Sequence, residues 1–282
     1  MSFFHFFGRS KSPPRAAGDG LPYPRVRLAY EEFVNARLNP REPTIYAIVW
    51  EGIEYNFLAS RLKRSDRAII LGSGDFDRDK IKPPYFARHR WAKLIDANAL
   101  WYFDPDCLIG EVTLSWCYGT NASWRLKNIA ALTRIFLSRW NIRRELFFGS
   151  SGGGFTSIAL ACLARSKALA INPQLNCLNF WPSIVQKFLK SRLRQGEEPI
   201  EERLNIGRLI EAEKFCPRIT IWQNIMGQRD MDTQIKPFIE SLRNSQLEAL
   251  PIRLDFYTRP GGHKAMPSQA ECLDAIRREL EE

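Results

Sequence analysis

The chain has 282 residues, 45% hydrophobic and 26% charged, the balance of an ordinary folded protein that can bury a large core. No apolar run approaches the ~18–20 residues that span a bilayer, so no transmembrane segment is expected. The formal net charge of +10 suits nucleic acid, an anionic membrane surface or an acidic substrate, but no helix-turn-helix, zinc-finger or RNA-binding signature supports the first.

Residues 1–22 are rich in Gly, Pro, Ser and Arg and read as a flexible amino-terminal arm. Phe3, Phe4, Phe6 and Phe7 within it are candidates for docking on the domain, a partner or a membrane surface. The arm lacks a basic leading region and a long apolar stretch, so it reads poorly as a signal peptide. Residues 26–38 suggest a short helix. TIYAIVW, the Glu51-Gly52 turn and IEYNFLA then form an antiparallel hairpin, with alternation on both arms.

The runs RAIILG and NALWY are short and continuously apolar, as strands buried on both faces are. The first ends in a Gly-Ser-Gly loop, the second in a stop at Asp104-Pro105. A helix over 124–140, the strand ELFFG and the helix FTSIALACLARS follow. ALAINP, ITIWQN and IRLDFYT are further strands, separated by helical segments near 183–194, 201–214 and 233–245, and SQAECLDAIRREL closes the chain as a helix. Strands alternating with helices predict an α/β class: a mainly parallel central sheet, an N-terminal antiparallel hairpin and helices on both faces. Chemistry is expected at the carboxyl ends of the strands. The expected organisation is one domain over 23–282, with a helical lid within 176–214.

Gly149-Ser150-Ser151-Gly152-Gly153 fits G-x-S-x-G between a predicted strand and a predicted helix. Glycine two residues to either side lets strand and helix approach closely at a sharp turn, and only Ser151 has both. Its hydroxyl then lies beside a helix amino terminus, where free N–H groups favour developing negative charge. A phosphate-binding reading of this loop is weak, because no G-K-[ST] follows.

A serine needs a base, and the chain has three histidines. His5 is in the arm, and His89 lies in the basic stretch YFARHRW, as a surface or substrate-contacting residue. His263 follows the last predicted strand in a Gly-rich loop, where the order Ser…Asp/Glu…His puts its base. The acid that orients this histidine is expected after ITIWQN. Asp230 is preferred for lying nearer the strand end; Asp232 is the alternative, and Asp255 an outsider within a strand. Both loop acids could instead cap the helix expected from about Thr233. Oxyanion donors are expected from Gly152 and from the loop Gly72-Ser73-Gly74-Asp75, through Ser73 or Gly74.

With Ser151, Asp230 and His263 in this order on this pattern, the chain resembles the α/β-hydrolase superfamily over roughly residues 43–280. The segments ILGSGDFDR, Arg88 to Trp91, NALWYFDPD, WCYGT, FFGSSGGGFTSIAL and AINPQ are similar to bacterial capsule polysaccharide O-acetyltransferases and to the acetyltransferase component of accessory adhesin secretion. The resemblance implies an acyl-enzyme on Ser151, an acetyl-CoA donor, no permanently bound cofactor or metal, and a glycan acceptor. A carboxylesterase or deacetylase on the same residues and a non-catalytic scaffold that binds glycan or a secretion partner are the competing readings.

Basic residues follow the first Gly-rich loop: Arg78, Lys80, Lys82, Arg88, Arg90 and Lys93. Arg78, Arg88, His89 and Arg90 are the substrate-binding candidates, and Lys187, Lys190, Arg192 and Arg194 line the expected lid helix. Such clusters suit CoA phosphates or an anionic glycan. Trp91, Trp116, Trp124 and Trp181 could face sugar rings, with core packing the commoner use. Cys107, Cys117, Cys162, Cys177, Cys216 and Cys272 show no metal-ligand spacing and suggest thiols in a reducing cytoplasm. The cytoplasm, including the inner face of the membrane, is the expected location.

Overall fold

A computed structural model of the chain describes residues 21–61, 64–245, 247 and 250–282. The arm with Phe3, Phe4, His5, Phe6 and Phe7, and its expected membrane contact, lies outside the described residues.

Among the described residues nine strands form one sheet: β1 (Arg25–Ala29), β2 (Thr44–Trp50), β3 (Ile53–Ser60), β4 (Arg67–Gly72), β5 (Asn98–Tyr102), β6 (Arg144–Ser150), β7 (Lys167–Ile171), β8 (Arg218–Asn224) and β9 (Ile252–Tyr257). Their spatial order is β1-β2-β3-β5-β4-β6-β7-β8-β9. Only β3 runs against its neighbours, pairing antiparallel with β2 and β5 while every other pair is parallel. The carboxyl ends of the parallel strands therefore share one edge.

The helices are α1 (Tyr30–Asn35), α2 (Arg125–Arg139), α3 (Gly152–Ala164), α4 (Pro182–Arg192), α5 (Ile206–Glu213), α6 (Gln228–Asp230), α7 (Lys236–Arg243) and α8 (Gln269–Glu281). A π-helical turn, Met231–Ile235, joins α6 to α7. Alternation along fully buried strands feeds two cores. Ile70, Leu100 and Phe147 face the one that includes α2, α3 and α5. Their neighbours Ile69, Trp101 and Phe148 face the one that includes α8. Every residue of α3 from Gly152 to Cys162 is buried, which explains its lack of a polar stripe.

Three sequence expectations are corrected. Residues 26–38 are not one helix: their first part is β1, and α1 covers only Tyr30–Asn35. Arg25 and Arg27 both reach Glu54 on β3, at 2.7 and 3.2 Å, a period-two pattern over too few residues to outweigh the helical signal. The segment 201–214 divides into a 3₁₀ turn, Glu201–Arg203, and α5. Asn205 caps α5 by accepting the Arg208 N–H, and that cap sets the boundary. The helix expected from Thr233 begins five residues earlier, at Gln228.

All six cysteines are buried free thiols. Among the described residues, no helix is long and apolar enough to cross a membrane, and no group of three or more His, Cys, Asp or Glu is placed to hold a metal.

Candidate active site

Ser151 occupies the turn between β6 and α3 with φ 55° and ψ −125°. A non-glycine residue there stores on the order of 1–3 kcal/mol of strain and persists only where its surroundings over-determine it. Here they do. Ser151 N donates to Ile171 O at 3.1 Å, and Ser151 O accepts from the N–H groups of Gly154, Phe155 and Gln174. The flanking glycines are a steric requirement: a Cβ at Gly149 would lie 2.1 Å from Gly153 O, and one at Gly153 would lie 2.6 Å from Gly72 O.

His263 comes from the loop after β9, and its Nε2 lies 2.8 Å from Ser151 Oγ. Its Nδ1 lies 2.7 Å from Asp230 Oδ2. The carboxylate can only accept, so Nδ1 carries the proton and Nε2 is free to take the serine's. Asp230 is 6% exposed, whereas Asp232 is exposed and engages Gln228 and Lys236. Asp255 lies in β9, bonded to Trp222 and Arg253. Position alone therefore separates the three acids: α6 starts early enough to turn Asp230, and not Asp232, toward the histidine.

Two asparagines hold the histidine loop. Asn172 Nδ2 donates to His263 O and Ala265 O, while its Oδ1 accepts from Asn224 N and the Tyr257 hydroxyl. Asn224 Nδ2 in turn donates to Arg259 O and Gly262 O. A third polar group had no role assigned from the sequence: the buried Gln174 donates from Nε2 to Ser151 Oγ at 3.1 Å. Trp116 Nε1 holds the other end of that amide at Oε1. The sequence signals for Gln174 are its place in the segment AINPQ and three residues beyond β7, at the carboxyl edge.

Trp116 and Cys117 have φ of 52° and 54°. Asp104 shapes their turn by accepting from Ser115 Oγ and Cys117 N, and Asp106 by accepting from Gly119 N. Asp106 also pairs with Arg192 on α4 at 3.1 Å. Arg192 is thus a structural ion pair and not a free cation of a lid.

An open cleft of about 660 Å3 lies over Ser151 and His263, walled by Gly74, Asp75, Tyr85, Ala87, Arg88, Phe180, Trp181, Ile184, Lys264 and Met266. Phe180 packs its ring 5.8 Å from that of His263. Trp181, 48% exposed, presents the aromatic surface of the cleft, while Trp116 and Trp124 are buried in the core. Gly74 sits over the first turn of α3; a Cβ there would lie 3.8 Å from Gly152 N and 3.7 Å from Gly153 N. The N–H groups of a helix's first turn lack intrahelical acceptors, so this end of the cleft is suited to negative charge. The Ser73 side chain turns elsewhere, donating to Tyr85 O and accepting from Ala87 N.

Of the four expected substrate-binding residues, only Arg88 lines this cleft. Arg78 spends its guanidinium on Cys107 O and Val112 O, at 2.6 and 2.9 Å. His89 Nδ1 is hydrogen-bonded to the Tyr23 hydroxyl at 2.7 Å, and Arg90 is exposed outside the cleft. The stretch is a 3₁₀ turn, so consecutive side chains diverge and one of three points inward.

Comparison with solved structures finds proteins of similar fold. The chain is similar to a capsule O-acetyltransferase of Neisseria meningitidis serogroup A, with TM-score 0.58, 15% identity, and coverage of 83% of this chain and 96% of that one. The fold is that of the α/β-hydrolases. A histidine-to-alanine mutant of the same enzyme, in complex with CoA, aligns with TM-score 0.59 at 13% identity over 82% of this chain and 96% of that one. An S-formylglutathione hydrolase from Agrobacterium tumefaciens aligns at 0.54 and 14% identity over 84% and 94%. No protein-family model matches the chain, and no curated protein matches it by sequence. The mainly parallel sheet, the hairpin and the two helical layers expected from sequence are all present.

Proposed function

We propose that this protein is a serine acyltransferase that O-acetylates a surface polysaccharide, with acetyl-CoA as donor and an acyl-Ser151 intermediate. The observation that carries the reading is the continuous chain from Ser151 Oγ through His263 to Asp230, at 2.8 and 2.7 Å, at the floor of an open cleft.

In the first half-reaction Ser151 Oγ attacks the thioester carbonyl carbon while His263 Nε2 takes its proton. Asp230 stabilises the imidazolium that forms. The oxyanion develops beside the N–H of Gly152 and the loop at Ser73 and Gly74. The C–S bond then breaks, and the departing sulfur takes the proton from His263. In the second half-reaction a sugar hydroxyl gives its proton to His263 and attacks the acyl carbon. The C–Oγ bond breaks, and Ser151 recovers the proton. Support for transfer comes from the O-acetyltransferase named above and from its complex with CoA.

Hydrolysis, with water in place of the sugar, is the second reading. The similarity to esterases, including a carboxyl esterase of Tuber melanosporum at TM-score 0.56 and 14% identity, favours it. Intact-mass spectrometry with acetyl-CoA and with an aryl acetate separates the two. An acetyl adduct on the parent protein, absent from Ser151→Ala, is the expected result. Adduct from acetyl-CoA supports transfer, adduct from the aryl ester alone supports hydrolysis, and no adduct with either donor overturns the reading.

A further inference from the structure

Arg88 is the one arginine among the residues that line the cleft over Ser151. Other partly buried arginines are engaged elsewhere: Arg25 by Glu54, Arg125 and Arg192 by Asp106, Arg78 by two main-chain carbonyls, and Arg203 between Tyr118 and Trp124 with a hydrogen bond to Thr120 O. Arg88 forms no ion pair among the described residues. Its guanidinium lies over the rings of Trp91 and Phe148, 5.4 and 5.5 Å from their centroids, and Nη2 donates to Ser150 Oγ at 2.8 Å. The backbone is held in the left-handed region, φ 61°, which sends the side chain into the cleft while His89 and Arg90 leave it. Burial pulls the guanidinium below its ordinary pKa, as expected for a cation without a counter-charge.

An arginine carries five N–H donors and no acceptor, and one hydrogen bond to a hydroxyl leaves most of them unspent. Two flat rings hold the guanidinium plane rigid, the arrangement that favours a two-pronged contact with carboxylate or phosphate. Lys264 adds a second cation to the cleft wall, and Asp75, exposed, is the one carboxylate among the lining residues. Ser150 is the residue directly before the nucleophile, so any group held by Arg88 sits next to the reacting carbonyl rather than at a distant subsite.

We propose that Arg88 receives an anionic group, a carboxylate or a phosphate, carried by the substrate immediately beside the ester that Ser151 makes or breaks. This rests on the reading of Ser151 as nucleophile. The charge belongs either to the acyl group or to the alcohol, and the test has an arm for each.

The acyl arm compares the mono-4-nitrophenyl ester of glutaric acid with its methyl-capped neutral counterpart. The alcohol arm compares 2-acetoxy-5-nitrobenzoate with its methyl ester. kcat/KM is measured for the parent, Arg88→Gln and Arg88→Lys, with thermal melting to confirm that each variant is folded. The expected result is a preference of about tenfold or more for the anionic ester in one arm. Arg88→Gln loses that preference, and Arg88→Lys, which keeps the charge without the fork, regains part of it. Turnover of neutral esters by the parent with no anionic preference in either arm overturns the proposal while leaving Ser151 as nucleophile. A preference that survives in Arg88→Gln also overturns it. Absence of turnover and of any Ser151 adduct overturns both readings together.

Discussion

Gln174 donates from Nε2 to Ser151 Oγ across 3.1 Å, and Trp116 grips the far end of its amide. With one lone pair of the serine oxygen occupied, the hydroxyl hydrogen is left pointing at His263 Nε2. Gln174 is a positioning residue, and its effect should appear in the chemical step. Gln174→Ala is expected to lower kcat about 5- to 30-fold, the worth of one to two kcal/mol for a lost hydrogen bond, with little change in KM for the acyl donor. Trp116→Phe should act in the same direction and less strongly. A rise in KM at constant kcat would show instead that Gln174 binds substrate.

Asp230 and Asp232 are two residues apart and should behave as different kinds of group. Asp230→Asn leaves the histidine without its orienting carboxylate and is expected to cut kcat by roughly 10³–10⁴, by analogy with the same substitution in serine proteases. Asp232→Asn breaks only surface contacts with Gln228 and Lys236 and should leave kcat within about twofold. Steady-state kinetics on any ester that acylates Ser151 reads both.

The crossing of β6, α3 and β4 leaves no room for a methyl group at its tightest point. Gly149→Ala drives a Cβ to 2.1 Å from Gly153 O, and overpacking of backbone costs about 1–3 kcal/mol or more. A fall in melting temperature of about 5 °C or more is expected for a chain of this size. Gly74→Ala meets its first neighbour, Ser150 O, at 3.3 Å and should melt within about 2 °C of the parent. Equal losses would mean that the close approach is not what the glycine supplies.

His89 gives the stability a pH dependence of known sign. Burial, and then the charge of Arg90, hold its pKa below the ordinary histidine value. Well above that value both folded and unfolded chains carry a neutral ring. As pH falls through it, the unfolded chain takes up a proton before the folded one, so stability drops. The melting temperature of the parent should therefore fall more between about pH 7.5 and about pH 5.5 than that of His89→Gln. Parallel curves for the two proteins would remove His89 from the account.

Much of this architecture is written locally. The strands β2 and β3 announce themselves by alternation and β4 and β5 by short apolar runs, the G-x-S-x-G frame singles out one serine of two, and Ser151 and His263 lie in glycine-rich loops after strands. β1 escaped because five alternating residues followed directly by a helical stretch look like one helix. Pattern reports the period of a segment, and here two periods share thirteen residues.

What tertiary structure decided is which side chains meet. Asp230 rather than Asp232 reaches His263 because α6 begins at Gln228 and the π-helical turn follows from Met231, a matter of where the backbone is in space. Arg88 enters the cleft, whereas Arg78 is absorbed by main-chain carbonyls and Arg90 faces solvent, since a left-handed residue and a 3₁₀ turn spread a basic run in several directions. Gln174 becomes part of the site only because β6 and β7 are neighbours and Trp116 arrives from a loop held by Asp104 and Asp106. Sequence patterning records what each residue wants of its local environment. A hydrogen bond between residues far apart in the chain depends on the closure of the whole sheet, and no local signal carries it.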